Sequence, residues 1–195
     1  MANDPDTFPR PPRDALAARL RRLALGVRAL VLLGAPVLLA VPLLQAFAPG
    51  WLAPLVGDAA IDPALVRLAQ GGITPAVQAR MAAVSVLPVA VALALLWQLW
   101  GLFGEYRHGA VFSERALRCL RRFAGGLVVL GLVQPLARAL GSVAVSWDNP
   151  PGQRQLMVTV SSNDYALVLV ALVFVAIARV MREAARAAEE NEGFV

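Results

Sequence analysis

The sequence predicts an all-α membrane protein: four transmembrane helices with both termini cytoplasmic, a short extracytoplasmic helix and a small extended segment. Three observations carry this prediction. Of the 195 residues, 58% are hydrophobic, against about 45–50% in ordinary globular domains, and the mean hydropathy is +0.64. The apolar residues gather into four runs near the length that crosses a bilayer. Fourteen of the eighteen arginines fall on one side of a membrane if both chain ends lie inside. A soluble chain of this composition would expose apolar patches far larger than monomeric proteins carry.

The elements follow in order. Residues 1–12 contain four prolines and no periodicity, a pattern expected of a disordered tail. Residues 13–195 are expected to form one transmembrane domain. A bilayer core about 30 Å thick needs roughly 20 apolar residues per helix, which places spans at about 26–47, 78–103, 122–145 and 163–183. Pro36, Pro42 and Pro88 lie inside the first two; membrane helices tolerate proline because neighbours re-satisfy the freed carbonyls. The segment "RDALAARLRRLALGVRAL" (13–30) reads as an amphipathic lead into span one.

Between spans one and two, "DPALVRLAQGG" predicts the short outer helix, with Asp62 as N-cap, Pro63 in the first turn and Gly71 as stop. Thr74 and Pro75 then cap and open span two. The loop 104–121 is arginine-rich and expected on the cytoplasmic face. Within it Gly109 marks a turn, Ser113 an N-cap, and Leu117, Leu120 and Ala124 recur at helical spacing. Span three follows, with a bend expected at Gly125-Gly126. After "SWDNPPGQ", a turn signal, "QLMVTVSS" alternates and is rich in β-branched residues, which predicts an extended piece forming half of a hairpin. Ser162 or Asn163 is expected to cap span four, and a charged helix, 182–195, to close the chain.

Arginine placement decides orientation. There is no lysine, and the formal net charge is +5. Only Arg67, Arg80, Arg138 and Arg154 lie on the outer side of the favoured topology, whereas cytoplasmic loops carry the excess of basic residues. A pI near 10.9 also suits nucleic-acid binding, but greasy spans separate the basic patches, so no direct nucleic-acid contact is expected. Arg21-Arg22 ahead of an apolar run, with "AFA" at 46–48, shares features with a twin-arginine export signal; the long polar lead and long apolar run favour a retained span.

Few residues suggest chemistry. One cysteine, Cys119, precludes an internal disulfide, and one histidine, His108, precludes a bis-histidine haem within the chain. No glycine-rich phosphate loop and no paired histidines occur, and no cofactor is expected. Arg115, Arg118, Arg121 and Arg122 are the candidate contacts to anionic headgroups or to a partner, each contributing on the order of 1 kcal/mol at an anionic surface. Gln98, Gln134 and Arg138 are the candidate intramembrane polar site, since charge within a span marks function by default. Arg138 falls roughly 22 Å beyond Phe123 along the helix, near the far interface, where a structural role is expected. Glu105 is expected to pair with Arg107 or an arginine of the next helix. Trp97 and Trp100 at one boundary, and Trp51 and Trp147 at the other, read as an aromatic belt. Ala90 with Ala94, and Ala137 with Gly141, are small pairs that permit close helix packing.

Two segments carry a family resemblance. "EYRHGAVFSERALRCLRRFAG" (105–125) joins a Gly-x-x-Phe turn (Gly109, Phe112) to a capped arginine helix and a span. "ARVMREAARAAEENEGFV" (178–195) runs a last span into a charged helix with an acidic tail. Both resemble the bacterial membrane proteins grouped as domain-of-unknown-function family 2975. The resemblance implies a small four-span inner-membrane protein. Some members are similar to proteins encoded beside a small helix-turn-helix regulator, which implies a signalling or regulatory setting. It carries over no catalytic residue. The expected function is a non-enzymatic accessory, sensory or regulatory membrane component, with a cytoplasmic protein such as a transcriptional regulator as partner. The alternative is a subunit of a small transporter or channel, which requires a homo-oligomer.

Overall fold

The computed structural model describes residues 13–47, 68–69, 72–110 and 113–192. The tail 1–12, most of the expected outer helix at 62–71, and Trp51 lie outside the described residues. Four long helices account for nearly everything described: α1 (Arg13–Phe47), α2 (Pro75–Arg107), α3 (Glu114–Ser146) and α4 (Ser162–Glu192). All four are long and apolar enough to cross a membrane, so the chain is a multi-pass membrane protein. Each helix outruns its expected span because the amphipathic leads join it without a break; α3 continues through Gly125-Gly126, where a bend was expected.

Local signals set most helix ends. Thr74 Oγ1 accepts from the Val77 N–H (3.3 Å), and Pro75 takes the first helical position of α2. Gly109, at φ +77°, turns the chain out of α2, a conformation glycine adopts without steric cost. Ser113 Oγ accepts from the Ala116 N–H (3.1 Å) and caps α3. The cap of α4 differs from expectation. It is Ser161, whose Oγ accepts from the Asp164 N–H (3.3 Å) while Asp164 Oδ2 accepts from the Ser161 N–H (2.7 Å). This reciprocal pair satisfies two helix-end donors at once, which neither Ser162 nor Asn163 would do.

No strand forms among the described residues, so the expected half-hairpin is corrected. The segment 153–160 is extended in outline, but its partner is a helix edge. Met157 N–H donates to Ser142 Oγ (2.8 Å) and Gln155 N–H to Ser146 Oγ (3.1 Å). The two spacings match: alternate residues of an extended chain lie about 6.6 Å apart, and residues four apart on a helix rise about 6 Å. Ser142 and Ser146 are fully buried and stand in for a neighbouring strand.

Substantial packing joins only helices adjacent in sequence: α1 to α2, α2 to α3, α3 to α4. Among the described residues the helices thus form a row, with α1 and α4 at its ends. Leu95 of α2, Phe123 and Leu127 of α3, and Ala171 of α4 form the central core. Leu102, Ala116, Leu120 and Ala178 form a second cluster toward the arginine-rich end. Leu68, Val77 and Val145 form a third at the opposite end, where Met157 packs against them.

Small residues mark the closest seam. Ala171, Ala178 and Ala185 of α4 are buried at seven-residue spacing, two helical turns apart on one face. On α3, a Cβ at Gly131 would come within 3.0 Å of Val168. Of the small pairs expected from spacing, Ala90 and Ala94 are exposed, whereas Ala137 is half-buried and Gly141 buried. In lipid, helix association depends on close van der Waals contact more than on removal of apolar surface from water. Substituting Ala171→Phe, at a site with no exposed surface, should therefore cost about 1–3 kcal/mol of stability. Leu172→Phe, on the exposed face, should leave thermal unfolding in detergent unchanged.

Candidate functional site

The charged side chains of the helices stand at two levels. On α3, Arg122 and Arg138 are separated by sixteen residues, about 24 Å of rise, with no charge between them. On α2 the uncharged stretch runs from Arg80 to Glu105, on α4 from Asp164 to Arg179, and on α1 from Arg28 to its end at Phe47. The intervals are close to the thickness of a hydrocarbon core once long side chains reach toward water.

The arginine-rich end is built by α2, α3 and α4. Glu105, at the end of α2, takes a bond from the Ser113 hydroxyl (3.3 Å) and an ion pair from Arg115 (3.5 Å), one of the partnerships expected of it. This ties the α2–α3 turn together, with Ser113 engaged both there and as a cap. Arg118 pairs with Glu114 one turn back (2.8 Å), and Arg186 with Glu190 one turn on (3.0 Å). Between α3 and α4 runs a groove of about 290 Å³ lined by Glu114, Leu117, Arg118, Arg121, Arg182 and Arg186 over Ala185. Four arginines from two helices line it. Arg121 and Arg182 form no ion pair among the described residues.

The four arginines singled out in the sequence are thus divided. Arg115 belongs to Glu105, Arg118 and Arg121 to the α3–α4 groove, and Arg122 to a second groove between α2 and α3. Sequence reasoning missed Arg182 and Arg186. Their four-residue spacing puts them on one helix face, but only the packing of α4 on α3 brings that face against Arg118 and Arg121.

The intramembrane polar candidates do not assemble. Gln98 lines the α2–α3 groove with Arg122 and Gly126. Gln134 is half-buried on α3, one turn before Arg138. Arg138 lies at the other level: its Nε and Nη2 donate to the Thr159 carbonyl (3.2 and 3.1 Å), and Nη2 also pairs with Asp164 Oδ2. Asp164 is 3% exposed, and its Oδ1 has no hydrogen-bond partner. The ion pair joins α3 to the α4 cap and to the extended segment, the structural role expected of Arg138. Its acidic partner was not foreseen, because Asp164 is distant in sequence. Nearby, Arg80 pairs with Asp148, and Asn149 Nδ2 donates to the Leu68 carbonyl (2.8 Å).

Trp100 is more than a belt residue. The Arg28 guanidinium sits 3.7 Å from its ring centroid, a cation–π contact that docks α1 on α2. Trp97, largely exposed, matches the belt reading. Among the described residues no three His, Cys, Asp or Glu side chains gather as a metal site requires.

A family model described as a protein of unknown function, DUF2975, matches residues 66–194. The chain belongs to the DUF2975 family. This is the family that its two segments resemble. The matched stretch of the DUF2975 chain takes in α2, α3, α4 and both arginine-bearing grooves, and α1 precedes it. No curated protein and no solved structure matches the chain.

The Arg138–Asp164 pair should be a sensitive point. Asp164→Ala leaves a guanidinium with only a carbonyl partner and removes half of the cap, and should cost about 3 kcal/mol. Arg138→Met combined with Asp164→Asn leaves neither charge and retains a cap acceptor, so it should lose less. Thermal unfolding of both variants in detergent measures the order.

Proposed function

We propose that the protein is a non-enzymatic accessory or regulatory component of a bacterial inner membrane, and that its α3–α4 arginine groove docks an acidic segment of a cytoplasmic protein. The single observation that carries this reading is that Arg118 and Arg121 of α3 and Arg182 and Arg186 of α4 line one groove. Guanidinium groups are planar, always charged and suited to bidentate carboxylate recognition. Two of the four pair with carboxylates of their own helices, the group that an acidic partner segment would also present.

The position of the groove supports the same reading. It lies at the arginine-rich ends of α3 and α4, beyond the uncharged stretches, where a water-borne partner has access. The positive-inside bias assigns this end to the cytoplasm, with both termini on that side. A transporter subunit finds less support. It calls for Gln98, Gln134 and Arg138 along one polar path, whereas Gln98 neighbours Arg122, some 24 Å along α3 from Arg138.

Two measurements test the proposal. In a Cys119→Ala background, Gln153→Cys should react with an impermeant maleimide on intact cells, and Arg182→Cys should react only after lysis; the reverse pattern overturns the orientation. Cross-linking in native membranes should join the groove to an Asp/Glu-rich peptide of one cytoplasmic protein. Arg121→Glu with Arg182→Glu should lower that yield at least about tenfold, since close interfacial charge pairs couple strongly. Repeated recovery of the wild-type protein alone would count against a partner.

A further inference from the structure

The second groove has a different character. It lies between α2 and α3, encloses about 330 Å³, and is lined by Val91, Ala94, Leu95, Gln98, Arg122, Gly126 and Val129. The two helices run antiparallel, so both chains grade from polar to apolar in the same direction. Gln98 and Arg122 stand at one end. Leu95 and Gly126 follow about one turn further on. Val91 and Val129 lie roughly 10 Å beyond the polar end, seven residues along each helix, toward the uncharged middle of the bundle.

We propose that this groove is a binding site for one anionic phospholipid, with its phosphodiester at Arg122 and Gln98 and an acyl chain along Val91, Ala94 and Val129. The assignment stands apart from the partner-docking reading and uses none of the residues of the α3–α4 groove. Four observations support it. First, the polar end lies near the level of Trp100, two residues past Gln98 and about 3 Å along α2, where Arg28 covers its ring on the side toward α1; aromatic and basic residues at this depth mark the headgroup region. Second, Arg122 is exposed and forms no ion pair among the described residues, and the groove lining contains no carboxylate. Its net charge of one positive unit complements the single negative charge of a phosphatidylglycerol headgroup and not a zwitterion. Third, the floor is a built contact. A Cβ at Gly126 would fall 2.6 Å from Leu95 Cδ2, so glycine lets α2 and α3 close beneath the groove while its flanks stay open. Fourth, the helices form a row, and a groove between the two inner members opens sideways into the bilayer, the direction from which a lipid enters.

Inorganic phosphate shares the headgroup chemistry but cannot use the apolar arm, and the two sources separate experimentally. The full chain, extracted in mild detergent and analysed by native mass spectrometry with added lipid, should retain one phosphatidylglycerol per chain. Phosphatidylcholine should be retained about fivefold less, the difference that one guanidinium supplies at a membrane surface, and inorganic phosphate should not displace the bound lipid. Arg122→Gln should lower retention of phosphatidylglycerol by about the same fivefold. Ala94→Phe keeps every charge but fills the apolar arm, and should lower retention as much; Val129→Phe does the same from α3 and serves if Ala94→Phe loses helicity or monodispersity. Arg121→Gln, in the other groove, should change nothing. Retention indifferent to both Arg122→Gln and the filling variants, a loss with Arg121→Gln equal to that with Arg122→Gln, or displacement by inorganic phosphate would each overturn the site.

Discussion

Hydrocarbon solvates neither a bare charge nor an unmade backbone hydrogen bond, and that constraint organises this molecule. Each described helix carries its charges at its ends and an uncharged stretch between them, because an unsatisfied polar group in the bilayer core costs several kcal/mol. Helices of 31 to 35 residues are longer than the roughly 20 that a core requires. The surplus carries the amphipathic, arginine-bearing turns into the headgroups and past them.

The same constraint explains how the ends are held. At one end, Arg138 is within reach of polar surroundings but is not left to them; Asp164 and the Thr159 carbonyl take its donors. Ser142 and Ser146 serve the extended segment in the same way, supplying acceptors where no strand is at hand. Each serine also returns its proton to a helix carbonyl, Ser142 to Ala139 (2.7 Å) and Ser146 to Ser142 (2.8 Å). The polar atoms at this end thereby link α3, the extended segment and the start of α4 into one fastening. Small residues do the equivalent work between α3 and α4, where Gly131 and the alanines of α4 permit backbone approach.

The open row of described helices shapes the surfaces of the molecule. A closed bundle of four would hide its helix–helix seams from lipid, whereas here each seam reaches the side or an end of the molecule. The α3–α4 seam ends in a water-facing arginine groove and the α2–α3 seam in an amphipathic one. Neighbouring residues Arg121 and Arg122 serve different grooves because consecutive positions on a helix point about 100° apart. Two chemical surfaces of unlike depth thus arise from one arginine cluster.

Much of this was determined by the sequence alone. Run length and hydropathy established four spanning helices; Thr74-Pro75, Ser113 and Gly109 established where three of their ends fall, since caps and left-handed turns depend on a few adjacent residues. The family was legible for a similar reason, in two contiguous segments. What depended on contacts between distant residues was not legible. The partner of Arg138, the cap at Ser161 with its tie to Asp164, the serine-lined edge for Gln155 and Met157, the Arg28–Trp100 stack, and the meeting of Arg118 and Arg121 with Arg182 and Arg186 were decided only by tertiary structure. The physical reason is that a helix pattern specifies which face is apolar but not which neighbour will cover it, and in lipid every apolar face is acceptable uncovered. Only the fit of small residues and the pairing of charges at the ends select one arrangement.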